Sequence, residues 1–298
     1  MRLNWSNYQR GVFFLLLMMA VSSLNDIIAK FMGQRLEAME VIFFRFFFGF
    51  ITLSPLMLTR GMKIFKTQQL GSNVVRGVLG ALSFFLYTYS VIHISLVEVV
   101  SILWTIPLFV LLLSLIFLGE SVSGTRWIAT LVGFVGLSFI TLYGSENSVS
   151  FRLLYIVPIA SSFLFAVQDV MIKKIVDQED RITMLLYFAL VASLLTLVPT
   201  LFVWDTPTFF ELTMLLLLGL NGNLMQYLIF KAFSAADLSA LAPYRYVEFL
   251  FSALFAFAFF GEIPGMNVLT GALILIPSTL YLAYTENQKK KAFRRQAV

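Results

Sequence analysis

The residues best suited to chemistry are Arg245 and Glu248, in the run Ala242-Pro243-Tyr244-Arg245-Tyr246-Val247-Glu248. This run opens an apolar segment that continues to Phe260. At helical spacing Arg245 and Glu248 are i and i+3 and share a face, with Tyr244 one turn behind Glu248. An ionisable side chain inside a membrane span costs about 2.5–3.5 kcal/mol on insertion scales, so it faces protein or a water-filled cavity. Pro243 removes a backbone donor near the start of the helix. Taken alone, the pair either locks helices together or belongs to a binding site.

Polar residues on other apolar segments favour a site. Glu98, Ser101 and Thr105 align at helical spacing, with Trp104 beside them and Pro107 placed to kink the span. Gly77, Gly80, Phe84 and Tyr87 form a second stripe, whose glycines permit close helix approach. Asn223, Gln226 and Tyr227 form a third. Trp104, Tyr87, Tyr244 and Tyr246 suit a flat ring or a cation. Glu98 and Glu248 suit a positive group, and Arg245 and Arg45 suit a carboxylate gripped by two prongs. A zwitterion with an aromatic part and extra positive charge satisfies all three.

Of 298 residues, 59% are hydrophobic and 12% charged, with a mean hydropathy of +0.89. Soluble domains carry about 25% charge, so this is a polytopic membrane protein. The net charge of +5 resides in short loops and the tail rather than on one face, so it is no nucleic-acid signal. The chain has no cysteine, which excludes disulfides and thiolate chemistry, and a single histidine, His93, argues against a histidine metal site. Nothing calls for a cofactor.

Apolar runs long enough to cross a ~30 Å core fall at 11–32, 39–59, 74–93, 96–118, 125–144, 152–174, 182–204, 209–233, 238–260 and 266–285. The expectation is an all-α protein of ten spans, with the first retained although Ala20-Val21-Ser22 loosely imitates a cleavage site. With the N-terminus inside, 16 of the 21 Lys and Arg fall on the inner side, among them a basic loop around Arg60, Lys63, Lys66 and Arg76, so both termini are expected in the cytoplasm. The tail residues Lys289 to Arg295 read as a topology anchor.

The chain also repeats itself. Asn25-Asp26-Ile27-Ile28-Ala29-Lys30 is answered by Gln168-Asp169-Val170-Met171-Ile172-Lys173, and Phe117-Leu118-Gly119-Glu120 by Phe259-Phe260-Gly261-Glu262. Asp26 and Asp169 lie 143 residues apart, Glu120 and Glu262 142 apart, so both matches agree on one register. The expected units are 1–147 and 148–298, each of five helices. An odd count inverts one half relative to the other, the construction of many secondary transporters with a midplane site. Asp26–Lys30 and Asp169–Lys173 are i,i+4 pairs with the acid first, the favourable order. They read as gates or coupling groups, one on each side, or as pairs that orient helices.

Ten spans, two five-helix repeats and the Phe-Leu-Gly-Glu motif resemble the EamA-type transporters of the drug/metabolite transporter superfamily. More narrowly, Asn25-Asp26-x-x-x-Lys30-x-x-Gly33-x-Arg35-Leu36-x-x-x-Glu40-Val41-x-Phe43-Phe44-Arg45-Phe46-Phe47-Phe48 and Ala242-Pro243-Tyr244-Arg245-Tyr246-x-Glu248 resemble the S-adenosylmethionine uptake transporters of intracellular bacteria. The resemblance implies uptake of S-adenosylmethionine across a bacterial inner membrane, in exchange for S-adenosylhomocysteine, by a monomer or homodimer in contact with lipid. It places adenine against Trp104 or Tyr244, the positive groups near Glu248 and Glu98, and the carboxylate on Arg245 or Arg45, with Tyr87 and Gln226 completing the site. The competing transport reading is proton-coupled movement of another amino-acid-like or nucleoside-like metabolite. An intramembrane enzyme is disfavoured: Asp26 and Asp169 lack a Gly-x-Gly-Asp run, and no Ser/His arrangement or His-Glu-x-x-His motif is present.

Overall fold

A computed structural model of the protein describes residues 6–93, 99, 102–144, 153–260 and the single positions 273, 277, 281, 284 and 285. Every element among them is helical, as apolar segments without water to satisfy their backbone require. In chain order these are α1 (Asn7–Met32), α2 (Ala38–Thr52), α3 (Leu70–His93), α4 (Ile106–Leu113), α5 (Gly124–Gly144), α6 (Ile156–Ile175), α7 (Arg181–Thr200), α8 (Phe209–Ala235) and α9 (Glu248–Phe260). Short helical pieces prolong α2 to Phe65 and α4 to Leu118, and lead into α9 from Leu238. Six of the described helices are long and apolar enough to cross a membrane: α1, α2 with its extension, α3, α6, α7 and α8. The expected tenth span, 266–285, lies outside the described residues apart from its single positions, as does the Lys289–Arg295 tail.

Helix starts follow their capping chemistry. Ser6 and Gln9 form a capping box on α1, and Thr208 and Glu211 form one on α8. Asp180 Oδ2 accepts from the Ile182 and Thr183 N–H groups at the start of α7. Two of the expected spans are broken. The span 96–118 turns at Trp104 and Thr105 before α4 begins, with Pro107 in its first turn. The span 238–260 contains a tight 3-10 stretch, Ala242–Val247, with Pro243 near its start. A proline suits a first turn and disrupts a helix interior, so each marks a new start.

Packing is dominated by contacts between early and late parts of the chain. The pairs are α1 on α8 and α3 on α6, α2 on α8 and α3 on α7, α1 on α9 and α4 on α6, with α2 on α7. Close approach needs small residues: a Cβ at Gly80 would stand 2.2 Å from the Phe188 ring. Arg76, expected in a basic loop, is instead fully buried in α3, its guanidinium over the rings of Phe188 (5.3 Å) and Phe230 (5.1 Å).

Polar latches tie the helix ends. At one end, Arg35 grips Glu211 (Nε–Oε1 2.7 Å, Nη2–Oε2 2.6 Å) and Asp205 (2.6 Å). The hydrogen bonds it donates to Glu211 raise the Arg35 guanidinium above its ordinary pKa. At the other, Arg60 pairs with Asp180 at 3.1 Å, and Thr67 donates to Glu179.

The Phe-Leu-Gly-Glu motif has a structural explanation. Gly119, at φ 63°, takes the left-handed conformation that ends the α4 extension. Glu120 then crosses to the segment before α9, accepting from the Leu238 N–H (2.8 Å), the Ser239 N–H (2.8 Å) and the Ser239 hydroxyl (2.5 Å). Arg126 reinforces this, donating to Ser239 Oγ at 2.8 Å and pairing with Asp237 at 3.1 Å. Glu120→Ala removes an acceptor from three donors, and the expected cost is about 1–3 kcal/mol. It should appear as a lower thermal-unfolding midpoint in detergent, with a smaller drop for Glu120→Gln. An unchanged midpoint for Glu120→Ala contradicts the capping role.

Candidate binding cavity

Helices α1, α2, α3, α4, α6, α8 and α9 converge on a cavity of about 170 Å³. Its wall carries Asp26, Arg45, Asp169, Arg245 and Glu248, together with Tyr87 and Trp104. The 3-10 stretch explains how Arg245 reaches it. Residues three apart eclipse one another in that geometry, so Arg245 and Glu248 project to one side. The flanking tyrosines anchor the stretch: Tyr246 Oη donates to the carbonyls of Trp104 (3.3 Å) and Thr130 (3.0 Å), and Tyr244 Oη shares a 3.0 Å hydrogen bond with Tyr8 Oη.

Opposite charges meet across the cavity. Arg245 Nη2 lies 2.5 Å from Asp169 Oδ2, a close ion contact whose angles fall short of an aligned hydrogen bond. Tyr87 Oη donates to Asp26 Oδ1 at 3.1 Å. Arg45 lies within electrostatic reach of Asp26 and stacks over Phe84 at 4.1 Å. Glu248 neighbours Ser22 on α1, and Ser23 and Ser252 join α1 to α9 through a 3.1 Å hydroxyl contact. Trp104 packs edge-on against Phe249 at 5.7 Å. Both amide atoms of Asn25, and Oε1 of Gln226, are buried without a hydrogen-bond partner among the described residues.

Of the residues singled out in the sequence, Tyr87, Trp104, Gln226, Arg45, Arg245, Glu248, Asp26 and Asp169 line this cavity. Glu98 lies outside the described residues. Tyr244 is turned away toward Tyr8. Lys173 does not pair with Asp169: its Nζ donates to the carbonyls of Phe233 (2.6 Å) and Ala236 (2.9 Å), which have no intrahelical donor at the end of α8. Lys30 is exposed near the end of α1, whereas Asp26 engages Tyr87. Asn223 serves packing, donating to the Gly49 carbonyl at 2.6 Å. The sequence reading passed over Ser22, Asn25, Gln168 and Ser252 as site residues, yet all four line the cavity. A buried Asn or Gln in an apolar span was itself the missed signal, because an unpaired amide is costly there.

A model of the EamA-like transporter family matches residues 9–142 and again residues 152–284. The chain belongs to that family. The two matches start 143 residues apart (152 less 9) and end 142 apart (284 less 142), the spacing of the paired motifs. The chain is 40% identical over 289 residues to the S-adenosylmethionine uptake transporter of Rickettsia bellii, covering 97% of each. It is 39% identical to that of Rickettsia conorii, covering 97% of this chain and 96% of the relative. A solved crystal structure shares the fold with a TM-score of 0.78 at 15% identity, over 95% of this chain and 98% of that one. The protein is thus a multi-pass transporter of the bacterial inner membrane.

Removing one partner of a buried ion pair costs about 3–5 kcal/mol, because the other charge is left uncompensated. Arg245→Gln is therefore expected to destabilise the transporter strongly in detergent. Arg245→Gln combined with Asp169→Asn should recover most of the loss. A double variant no more stable than the single one contradicts the pairing.

Proposed function

We propose that the protein takes up S-adenosylmethionine by alternating access, in exchange for S-adenosylhomocysteine. The observation that carries this reading is the charge of the cavity wall. Two guanidiniums stand against three carboxylates, leaving one excess negative charge when all are ionised. S-adenosylmethionine bears a carboxylate, an ammonium and a sulfonium, one excess positive charge. The names of the Rickettsia relatives support the same substrate.

The Arg245–Asp169 contact suits the amino-acid end, with the carboxylate on Arg245 and the ammonium on Asp169. Arg245 suits this role better than Arg45, which has no second acid as close beside it. Glu248 and Asp26 face the sulfonium and ribose region, and Trp104 and Tyr87 supply faces for the adenine.

An inverted repeat of two five-helix halves accounts for the packing. Advancing helices of the first half by five, and setting those of the second back by five, turns α1 on α8 into α6 on α3, and α1 on α9 into α6 on α4. Contacts at the helix ends agree. Lys173 near the end of α6 meets the end of α8, whose Ala236 also abuts Gly11 near the start of α1. Equivalent helices α1 and α6 therefore run in opposite directions. The two end latches exchange under the same operation, so we assign closure of each side to Arg35–Asp205–Glu211 and to Arg60–Asp180 with Thr67–Glu179. Asp26 and Asp169, inside the cavity, serve substrate binding or coupling.

Proteoliposomes holding the purified protein should take up labelled S-adenosylmethionine, faster when S-adenosylhomocysteine is inside. Glu248→Gln should weaken uptake at least about ten-fold at normal protein yield. Failure of the wild type to take up the label contradicts the substrate; equal losses of uptake and yield in the variant make Glu248 structural.

A further inference from the structure

Asn25 is the least satisfied polar group on the cavity wall. It is 1% exposed, and among the described residues neither its amide nitrogen nor its amide oxygen has a partner. It sits on α1 between Ser22 and Asp26, both also on the wall. A buried amide without partners loses the hydrogen bonds that water gives it in the unfolded chain. A neighbouring side chain can meet such a need, as Ser83 does for Gln168 at 2.6 Å. None does so for Asn25 among the described residues.

We propose that Asn25 is the adenine-edge subsite, a reading that rests on the substrate proposed above. A carboxamide offers one donor and one acceptor side by side. Adenine offers the complement, the exocyclic N6 amine beside a ring-nitrogen acceptor, and Asn or Gln reads adenine in this bidentate way in the major groove of DNA. Placement agrees with the ligand's extent. Asn25 lies seven residues before the end of α1 at Met32, and Asp169 six residues before the end of α6 at Ile175. These helices run oppositely, so Asn25 and the Arg245–Asp169 contact occupy opposite ends of the cavity, as the two ends of an extended nucleoside–amino-acid conjugate require.

The test is competition against labelled S-adenosylmethionine uptake in proteoliposomes. The competitors are unlabelled S-adenosylmethionine and its analogue with purine in place of adenine, which lacks the N6 amine. The wild type should bind the purine analogue about ten-fold more weakly or worse. In Asn25→Leu, which keeps the branched shape and loses the amide, the two competitors should differ less than about two-fold. Asn25→Ala should behave alike and serves if the leucine variant does not reach the membrane. Equal competition in the wild type overturns the subsite without recourse to any variant, as does undiminished discrimination in either variant. No wild-type uptake overturns the substrate and the subsite together; uptake without discrimination overturns the subsite alone.

Discussion

The structure depends on keeping five ionisable side chains away from hydrocarbon. Asp26, Arg45, Asp169, Arg245 and Glu248 come from five different helical segments, yet all face one cavity. A charge exposed to lipid is costly, and a pair dried completely by packing is seldom repaid in full by its mutual attraction. A shared cavity avoids both costs, because water or a charged ligand can reach the groups. The close contacts outside it then make sense: Gly80 against Phe188 and the tyrosine anchors on either side of Arg245 hold the walls in place.

In the proposed mechanism the same constraint separates binding from closure. Latches at the helix ends use exposed or half-exposed groups, such as Arg35 with Asp205 and Arg60 with Asp180. Such pairs are individually weak and easily exchanged for water, which suits contacts that must break and re-form. The cavity pair Arg245–Asp169 is largely buried, and breaking it without a replacement is far more costly. A zwitterion offers that replacement, a carboxylate for the arginine and an ammonium for the aspartate.

Much of this was legible before any coordinates. The α-helical class follows from the apolar runs, the repeat register from two motif pairs, and most of the cavity from polar residues stranded in apolar spans. The misreadings have physical causes. Lys173 was matched to Asp169 by helical spacing alone, but the bare carbonyls ending α8 compete for its ammonium. Tyr244 was grouped with Arg245 as a neighbour in sequence, whereas the 3-10 stretch turns it toward Tyr8. Arg76 was counted as a loop cation because no sequence rule foresees two aromatic rings from α7 and α8 closing over it. Glu120 was seen only as a repeat marker; its capping role needs the start of α9 brought beside it.

The central claim is a wet, charged cavity in the middle of the membrane that opens to each side in turn. The native chain has no cysteine, so a single Ser22→Cys substitution places one thiol on the cavity wall. The account expects a small membrane-impermeant thiol reagent to modify it when added from either side of the membrane, with S-adenosylmethionine protecting it. A thiol unreactive from both sides, while Leu58→Cys in the exposed α2 extension reacts, would contradict it.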